Sequence, residues 1–248
     1  MLKGMRRVLG DVPKKLRRGV CPRALQSAMD KVLDPDDPVD ANIRAALATA
    51  LQGLLRSAEY TSEKGEITRT TLMRSDIVEL TDERVVIMMA PCKNMHHLGG
   101  KTCPLVDGAQ PDGDTSSVCA VREIKNMLRV DPTPPAVSTN QYPLFRCPHS
   151  NKPIRYQTIN AMVKRLMGAV GENPDQFSSH SLRIGGATAL FAAGANETVI
   201  RTMGRWSLDI HRLYVRACFE QCCEWTRRAG PTKVTDLAGM TFDEVDDY

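Results

Sequence analysis

The sequence of 248 residues contains no run of about 20 apolar residues, the length that an α-helix needs to cross a bilayer. Its first residues, Met-Leu-Lys-Gly-Met-Arg-Arg, carry charge, but no apolar segment follows them, so we expect no signal peptide. No internal repeat or low-complexity tract stands out. These absences predict an intracellular protein with no membrane partner, located in the cytoplasm if it is prokaryotic or viral and in the nucleus if it is eukaryotic.

The eight cysteines lack any paired C-x-x-C arrangement. In a chain of this length without a secretion signal, reduced thiols are the default. Cys147 and His149 could bind a metal together with Cys92 or His96, but their spacing matches no standard zinc motif. We therefore expect no bound metal.

The charge of the chain is small overall and uneven in its distribution. Hydrophobic residues make up 42% and charged residues 25%, as in ordinary globular proteins, and the net charge is +4. Residues 1–23 hold eight Lys or Arg, whereas residues 231–248 hold five acidic residues. A basic segment can follow a phosphate backbone, although a solvated extension is the alternative. The candidates for DNA contact there are Lys3, Arg6, Arg7, Lys14 and Lys15.

Apolar periodicity predicts an α+β fold that is mainly helical, with one small three-stranded antiparallel sheet. The predicted strands are 70–80, 84–89 and 101–106. The first predicted helices are 2–9, 22–32, 40–60, 117–128 and 158–170. A further helix carries His180, is capped by Ser178 or Ser179 and ends at Gly194. Two more helices follow, one from Asn196 to Gly204 and one that carries Tyr214.

The helix predicted over 40–60 ends in Gly53-Leu-Leu-Arg56-Ser-Ala-Glu59. Apolar residues repeat along one side of it, and Arg56 and Glu59 lie three apart near its end, so both can point the same way. Taken alone, such a pair indicates only a surface ion pair.

A second group of reactive side chains lies more than a hundred residues further along. His180 and Arg183 are one helical turn apart in His-Ser-Leu-Arg-Ile-Gly-Gly, and Trp206 and Tyr214 follow. Cations that hold a charged phosphorus centre and a phenol that attacks it suit chemistry at a phosphodiester. Only a folded domain could bring this group to Arg56.

These motifs together resemble the catalytic domain of the tyrosine recombinases, the phage integrase family. That family has an arginine in a G-x-x-R-x-x-E segment, a lysine on a β-hairpin, His-x-x-Arg, a His or Trp after a glycine, and a nucleophilic tyrosine. Six elements in the family's order are a far more specific signal than any one of them. The matching positions are Arg56 with Glu59, Lys93, His180 with Arg183, Trp206 and Tyr214.

The resemblance implies a metal-free and cofactor-free transesterification on double-stranded DNA. Tyr214 would form a 3′-phosphotyrosyl link, Arg56 and Arg183 would hold the nonbridging oxygens, and Lys93 would protonate the leaving 5′-oxygen. His180 would assist proton transfer or bond the phosphate. Trp206 would donate its indole N–H or pack on the tyrosine helix. Glu59 would orient Arg56 or His180. The family also implies a homotetramer on paired DNA sites.

Two positions depart from the family pattern or leave a choice open. The His or Trp normally lies nine residues before the tyrosine, where this chain has Arg205, and Trp206 is eight before. Either an altered turn still delivers Trp206, or Arg205 acts in its place at the DNA. For the lysine, Lys93 is favoured over Lys101, which flanks the same predicted turn.

The resemblance also sets the expected domains and the competing functions. Residues 1–20 would be the stump of a basic N-terminal DNA-binding domain with its linker, residues 21–229 the catalytic domain, and residues 230–248 an acidic tail. The main alternative to a recombinase is a DNA-binding protein that keeps the fold without turnover. A type IB topoisomerase shares the chemistry, but the short chain disfavours it.

Overall fold

The computed structural model of the chain describes residues 17–89, 101–106, 116–135 and 138–206. The chain divides into two compact units, Met1–Val215 and Arg216–Tyr248, and every described residue belongs to the first. The described residues contain seven α-helices, α1 Pro22–Val32, α2 Pro38–Gln52, α3 Ser57–Tyr60, α4 Ala120–Val130, α5 Tyr156–Ala169, α6 Ser179–Ala192 and α7 Glu197–Gly204. They also contain the strands β1 Ile77–Leu80, β2 Arg84–Met89, β3 Lys101–Val106, β4 Arg146–Cys147 and β5 Lys152–Pro153.

The predicted fold class is confirmed, and local sequence signals account for several boundaries. Helix α1 has its predicted bounds and begins with a proline, whose missing N–H is no loss in the first turn. Ser178 is the residue that precedes α6, and Gly194 follows that helix with a φ of 86°. The side chain of Asn196 accepts a hydrogen bond from the backbone N–H of Val199, which caps α7.

The single helix predicted over 40–60 is wrong. Helix α2 ends at Gln52, Leu54 adopts a positive φ of 49°, and a separate short helix begins at Ser57. A Cβ on Gly53 would lie 2.8 Å from the carbonyl oxygen of Thr49, so this tight turn requires glycine. Arg56 is therefore the N-cap residue of α3 and does not lie on the long helix.

The three-stranded sheet is confirmed, with one strand shorter than predicted. Strands β2 and β3 have their predicted bounds and pair antiparallel, so that Met89 lies opposite Lys101. The prediction of a strand from residue 70 is wrong, because residues 74–76 form a 3₁₀ turn in which the carboxylate of Asp76 accepts the N–H of Met73 at 2.7 Å. The β4–β5 pair was not predicted and has only two residues in each strand.

Helix α2 is the centre of the core. Every residue from Ala41 to Leu51 is buried, and the helix packs against α4 and α6. Even the charged Arg44 lies inside, where its Nε donates to Glu123 of α4 at 2.8 Å, so the buried charge is paired. None of the described helices is long and apolar enough to cross a membrane.

Two glycines let other segments approach helix α6 at close range. A Cβ on Gly185 would lie 2.0 Å from the carbonyl oxygen of Val20, and one on Gly186 would lie 2.1 Å from that of Leu51. Backbone N–H groups of Arg18 and Val20 donate to the carbonyls of Gln176 and Ser181, at 2.9 and 3.0 Å. The segment before α1 is thus bonded directly to the start of α6.

We predict that Gly185→Ala destabilises the domain by about 2 kcal/mol, because the added methyl group meets rigid backbone. Urea unfolding measures the change. Gly168→Ala in α5 is the matched control, since its Cβ would meet only the Pro174 ring, at 3.2 Å. Equal stability of the two variants would contradict the close packing at Gly185.

Candidate active site

The C-terminal ends of two helices meet at the centre of the candidate site. Helix α2 ends in the Gly53–Leu54 turn, and α7 ends at Gly204, after which Arg205 adopts a left-handed conformation with a φ of 55°. The last carbonyls of a helix have no partner within it and carry partial negative charge. Both ends therefore attract cations, and three arginines supply hydrogen bonds to these two turns.

Arg183 lies between the two turns. Its Nη1 donates to the carbonyl oxygen of Leu54, and its Nη2 donates to that of Gly204 at 2.6 Å. The side chain is among the most buried in the described residues, with a residue exposure of 1%. The guanidinium carbon lies 4.4 Å from the centre of the Trp206 ring, a distance suited to a cation–π contact.

The side chain of Arg205, at the end of α7, binds carbonyls of the same two turns. Its Nη1 donates to the carbonyls of Gly53 and Met203 at 3.2 and 3.0 Å. Its Nη2 donates to the carbonyl of Leu54 at 3.3 Å and to the Oε2 of Glu59 at 3.0 Å. The side chain is 4% exposed, so the structure places Arg205 inside the domain.

Arg56 and Glu59 lie beside Arg205, on the side that faces solvent. The backbone N–H of Arg56 donates to Oε2 of Glu59 at 2.6 Å, and its Nη1 donates to Oε1 at 3.1 Å. The Nη2 of Arg56 also donates to the carbonyl oxygen of Arg205 at 3.4 Å. The Arg56 side chain is 35% exposed, so its guanidinium can meet a ligand from solvent.

We name the four side chains Arg56, Glu59, Arg183 and Arg205 the guanidinium cluster. The cluster contains three guanidinium groups and one carboxylate, that of Glu59, which binds Arg56 and Arg205, so the cluster carries excess positive charge. A positive charge that is buried away from water attracts an approaching anion strongly, because the surrounding protein screens it less than water would. The cluster is therefore suited to bind an anion on the exposed side of Arg56.

His180 lies one turn before Arg183 on α6 and has a solvent-exposed face. The pKa of its imidazole is lowered from the ordinary value of 6.5, first by partial desolvation and then by the positive charges of Arg17 and Arg183. Arg17 is held nearby, where its Nη1 donates to the hydroxyl of Ser178 at 2.9 Å. A neutral imidazole at pH 7 can accept a proton.

The structure brings together the predicted site residues that lie in the described part of the chain. Arg56, Glu59, Arg183 and Trp206 meet in or beside the guanidinium cluster, and His180 precedes it on α6. Other predicted residues lie outside the described part of the chain, namely Lys93, Tyr214, Lys3, Arg6, Arg7, Lys14 and Lys15. The backbone of Lys101 lies in β3, opposite Met89.

Two features of the site were missed by sequence reasoning. The first is Arg17, whose place in the basic segment before α1 was the only signal for it. The second is the set of backbone carbonyls that hold the arginines, which side-chain motifs do not reveal. Within the described residues, no group of three or more His, Cys, Asp or Glu side chains is arranged to hold a metal ion.

The sequence profile of the phage integrase family matches residues 22–220, and the chain belongs to this family. The profile spans Arg56, His180, Arg183, Trp206 and Tyr214, so the resemblance inferred from the motifs is confirmed. No curated protein sequence matches the chain.

Solved structures of recombinases share the fold. The XerH site-specific recombinase, bound to a palindromic difH substrate in a post-cleavage complex, is similar with a TM-score of 0.62 and 16% identity, over 86% of this chain and 53% of XerH. The XerA recombinase gives a TM-score of 0.58 at 16% identity, over 90% and 68% of the two chains. A lambda integrase dimer bound to a COC′ core site gives 0.51 at 13% identity, over 93% and 54%. The chain thus spans about half the length of XerH.

We predict that Glu59→Ala lowers the free energy of unfolding by about 3 kcal/mol, because it leaves the buried Arg205 without its carboxylate. Glu79→Ala is the matched control, since the Glu79–Arg84 pair is exposed and its loss costs less than about 1 kcal/mol. Chemical denaturation at neutral pH measures both variants. Similar small losses in both would contradict a buried ion pair at Glu59.

We predict that His180 titrates below 6.5 in the free protein and that Arg17→Ala raises its pKa. The lowered pKa means that protonation disfavours the folded state, so the associated stability is present above 6.5 and declines as the pH falls. Histidine NMR titration of the wild-type and Arg17→Ala proteins measures the pKa of His180. A His180 pKa that is unchanged by Arg17→Ala would contradict the electrostatic contribution of Arg17.

Proposed function

We propose that this protein is a site-specific recombinase that cuts and rejoins double-stranded DNA through a 3′-phosphotyrosyl intermediate. The observation that carries the proposal is the guanidinium cluster beside His180, at the convergence of two helix ends. Family membership supports DNA recombination as the general activity.

In the proposed first step, the phenolic oxygen of Tyr214 attacks the scissile phosphorus, and the bond from phosphorus to the 5′-oxygen breaks. The phenolic proton goes to neutral His180, whose lowered pKa suits an acceptor at pH 7. Lys93 donates a proton to the leaving 5′-oxygen. A 5′-hydroxyl of a second strand then reverses these transfers and releases the tyrosine, so the number of phosphodiester bonds is conserved.

The arginines would stabilise the negative charge that develops on the nonbridging oxygens. Arg56 can meet the phosphate directly, because it is the exposed member of the cluster. Arg183 is buried, so contact between its guanidinium and the phosphate requires that it exchange the carbonyl of Leu54 or Gly204 for a phosphate oxygen. Stacking on Trp206 would limit that movement to a small shift.

The proposed partners are double-stranded DNA and three further copies of the chain, as a homotetramer on paired sites. Structures of similar fold include XerH bound to a difH substrate and lambda integrase as a dimer on a core site. The proposed DNA contacts of the basic segment lie outside the described residues. Arg17, which the structure does describe, places a positive charge beside His180.

We predict that the protein forms a covalent adduct with supercoiled plasmid DNA in EDTA, seen after an SDS stop, and that Tyr214→Phe abolishes it. Tyr156→Phe is the matched control, because this tyrosine lies on α5 and has no proposed role in the chemistry. Plasmid binding is measured alongside by mobility shift.

Either of two results would overturn this proposal. An adduct that persists in Tyr214→Phe would exclude Tyr214 as the nucleophile. Plasmid binding by the wild-type protein without any adduct would favour the alternative, a DNA-binding module that keeps the fold without turnover.

A further inference from the structure

Arg205 combines two features that rarely occur together. It has a left-handed backbone conformation, with φ 55° and ψ 43°, at the end of α7, where glycine is the usual residue. It also carries a large charged side chain that is 4% exposed. Burial of a charge and a left-handed backbone both cost free energy, so a set of specific interactions must offset them.

The interactions of the Arg205 side chain are all internal. Its two terminal nitrogens donate to the carbonyls of Gly53, Leu54 and Met203 and to the carboxylate of Glu59, at 3.0 to 3.3 Å. The planar fork of a guanidinium can serve several acceptors at once, whereas the ammonium of lysine is a compact point charge. The site therefore suits the two terminal nitrogens of an arginine, although the buried Nε of Arg205 has no hydrogen-bond partner among the described residues, and the charge of the side chain faces protein atoms.

Arg205 is connected to Arg56, the exposed arginine of the cluster, in two ways. Its Nη2 binds Oε2 of Glu59, while Oε1 of the same carboxylate binds Nη1 of Arg56 at 3.1 Å. Its own backbone carbonyl accepts from Nη2 of Arg56 at 3.4 Å. Arg56, Glu59 and Arg205 thus close a ring of hydrogen bonds that fixes both terminal nitrogens of Arg56.

The left-handed turn at Arg205 also sets the position of the next residue. The backbone N–H of Trp206 donates to the carbonyl of Arg201 at 3.0 Å, and its ring then lies over the guanidinium of Arg183. A Cβ on Gly204 would lie 1.9 Å from the Trp206 ring, so the indole folds back closely on the end of α7. Arg205 therefore influences both Arg56 and Arg183, the two arginines that are proposed to bind the phosphate.

We infer that Arg205 is a positioning residue for Arg56, acting through Glu59 and through its own carbonyl, and that it does not contact DNA phosphate. The inference rests on the proposed function in assigning Arg56 to the phosphate. It favours one side of the choice left open by the sequence, in which Arg205 is a candidate for DNA contact.

The first test separates positioning from phosphate contact by the salt dependence of DNA binding. A lost phosphate contact reduces the slope of log affinity against log salt by about 1. We expect Arg205→Met to bind plasmid DNA with the wild-type slope. A slope reduced by about 1 would overturn the inference.

The second test measures the rate of adduct formation in a single turnover with saturating DNA. We expect Arg205→Lys to slow adduct formation by about tenfold or more, because the lysine cannot serve all of the acceptors. The same substitution should have little further effect in an Arg56→Lys background, since Arg205 acts through Arg56. Multiplicative losses in the double variant would overturn the inference. Arg129→Lys, in an exposed ion pair on α4, is the matched control.

A third measurement does not depend on activity. In the wild-type protein, the Arg56 guanidinium should show slowed rotation in ¹⁵N-resolved NMR spectra, because both terminal nitrogens are held. Arg205→Gly accepts the left-handed turn without strain and keeps the backbone carbonyl, but removes the bond to Glu59, so the rotation should become faster. Slow rotation that persists in Arg205→Gly would overturn the inference, even if the wild-type protein forms no adduct and the proposed function fails.

Discussion

Hydrogen bonding between guanidinium groups and the carbonyls at two helix ends is the interaction on which the rest of this site depends. The ends of α2 and α7 each expose carbonyls that no helix can satisfy, and Arg183 lies between them with both terminal nitrogens engaged. The arginines neutralise the helix ends, and the helix ends hold the arginines in place. The same bonds therefore stabilise the fold and arrange the cationic groups that the proposed chemistry requires.

The site shows how a buried scaffold can present one exposed group. Arg183 and Arg205 are almost inaccessible to water, whereas the Arg56 side chain is 35% exposed. Glu59 contacts Arg56 and Arg205 with different oxygens, so the exposed guanidinium of Arg56 is held in position by its connection to the buried Arg205. Preorganisation of this kind lowers the cost of arranging charge when a transition state forms.

Much of the fold could be predicted from the sequence, but the decisive details of the site could not. The start of α1 follows from the proline in its first turn, and the strands β2 and β3 follow from apolar alternation, which are local signals. The break after Gln52 was missed because the apolar stripe continues through Leu54, and the turn is evident only from the positive φ of Leu54 and the close approach of Gly53 to Thr49. Motif order found Arg56 and Arg183, yet carbonyl partners and the interior position of Arg205 depend on tertiary structure.

The contact between Val20 and Gly185 has a mechanical consequence. The carbonyl of Val20 packs where a side chain on Gly185 would stand, and backbone bonds join Arg18 to Gln176 and Val20 to Ser181, so residues 18–20 are fixed in register against α6. A pull on that segment is transmitted directly to the helix that carries His180 and Arg183. Residues 18–20 are thus tied to α6 by backbone contacts, independently of the charge that this segment carries.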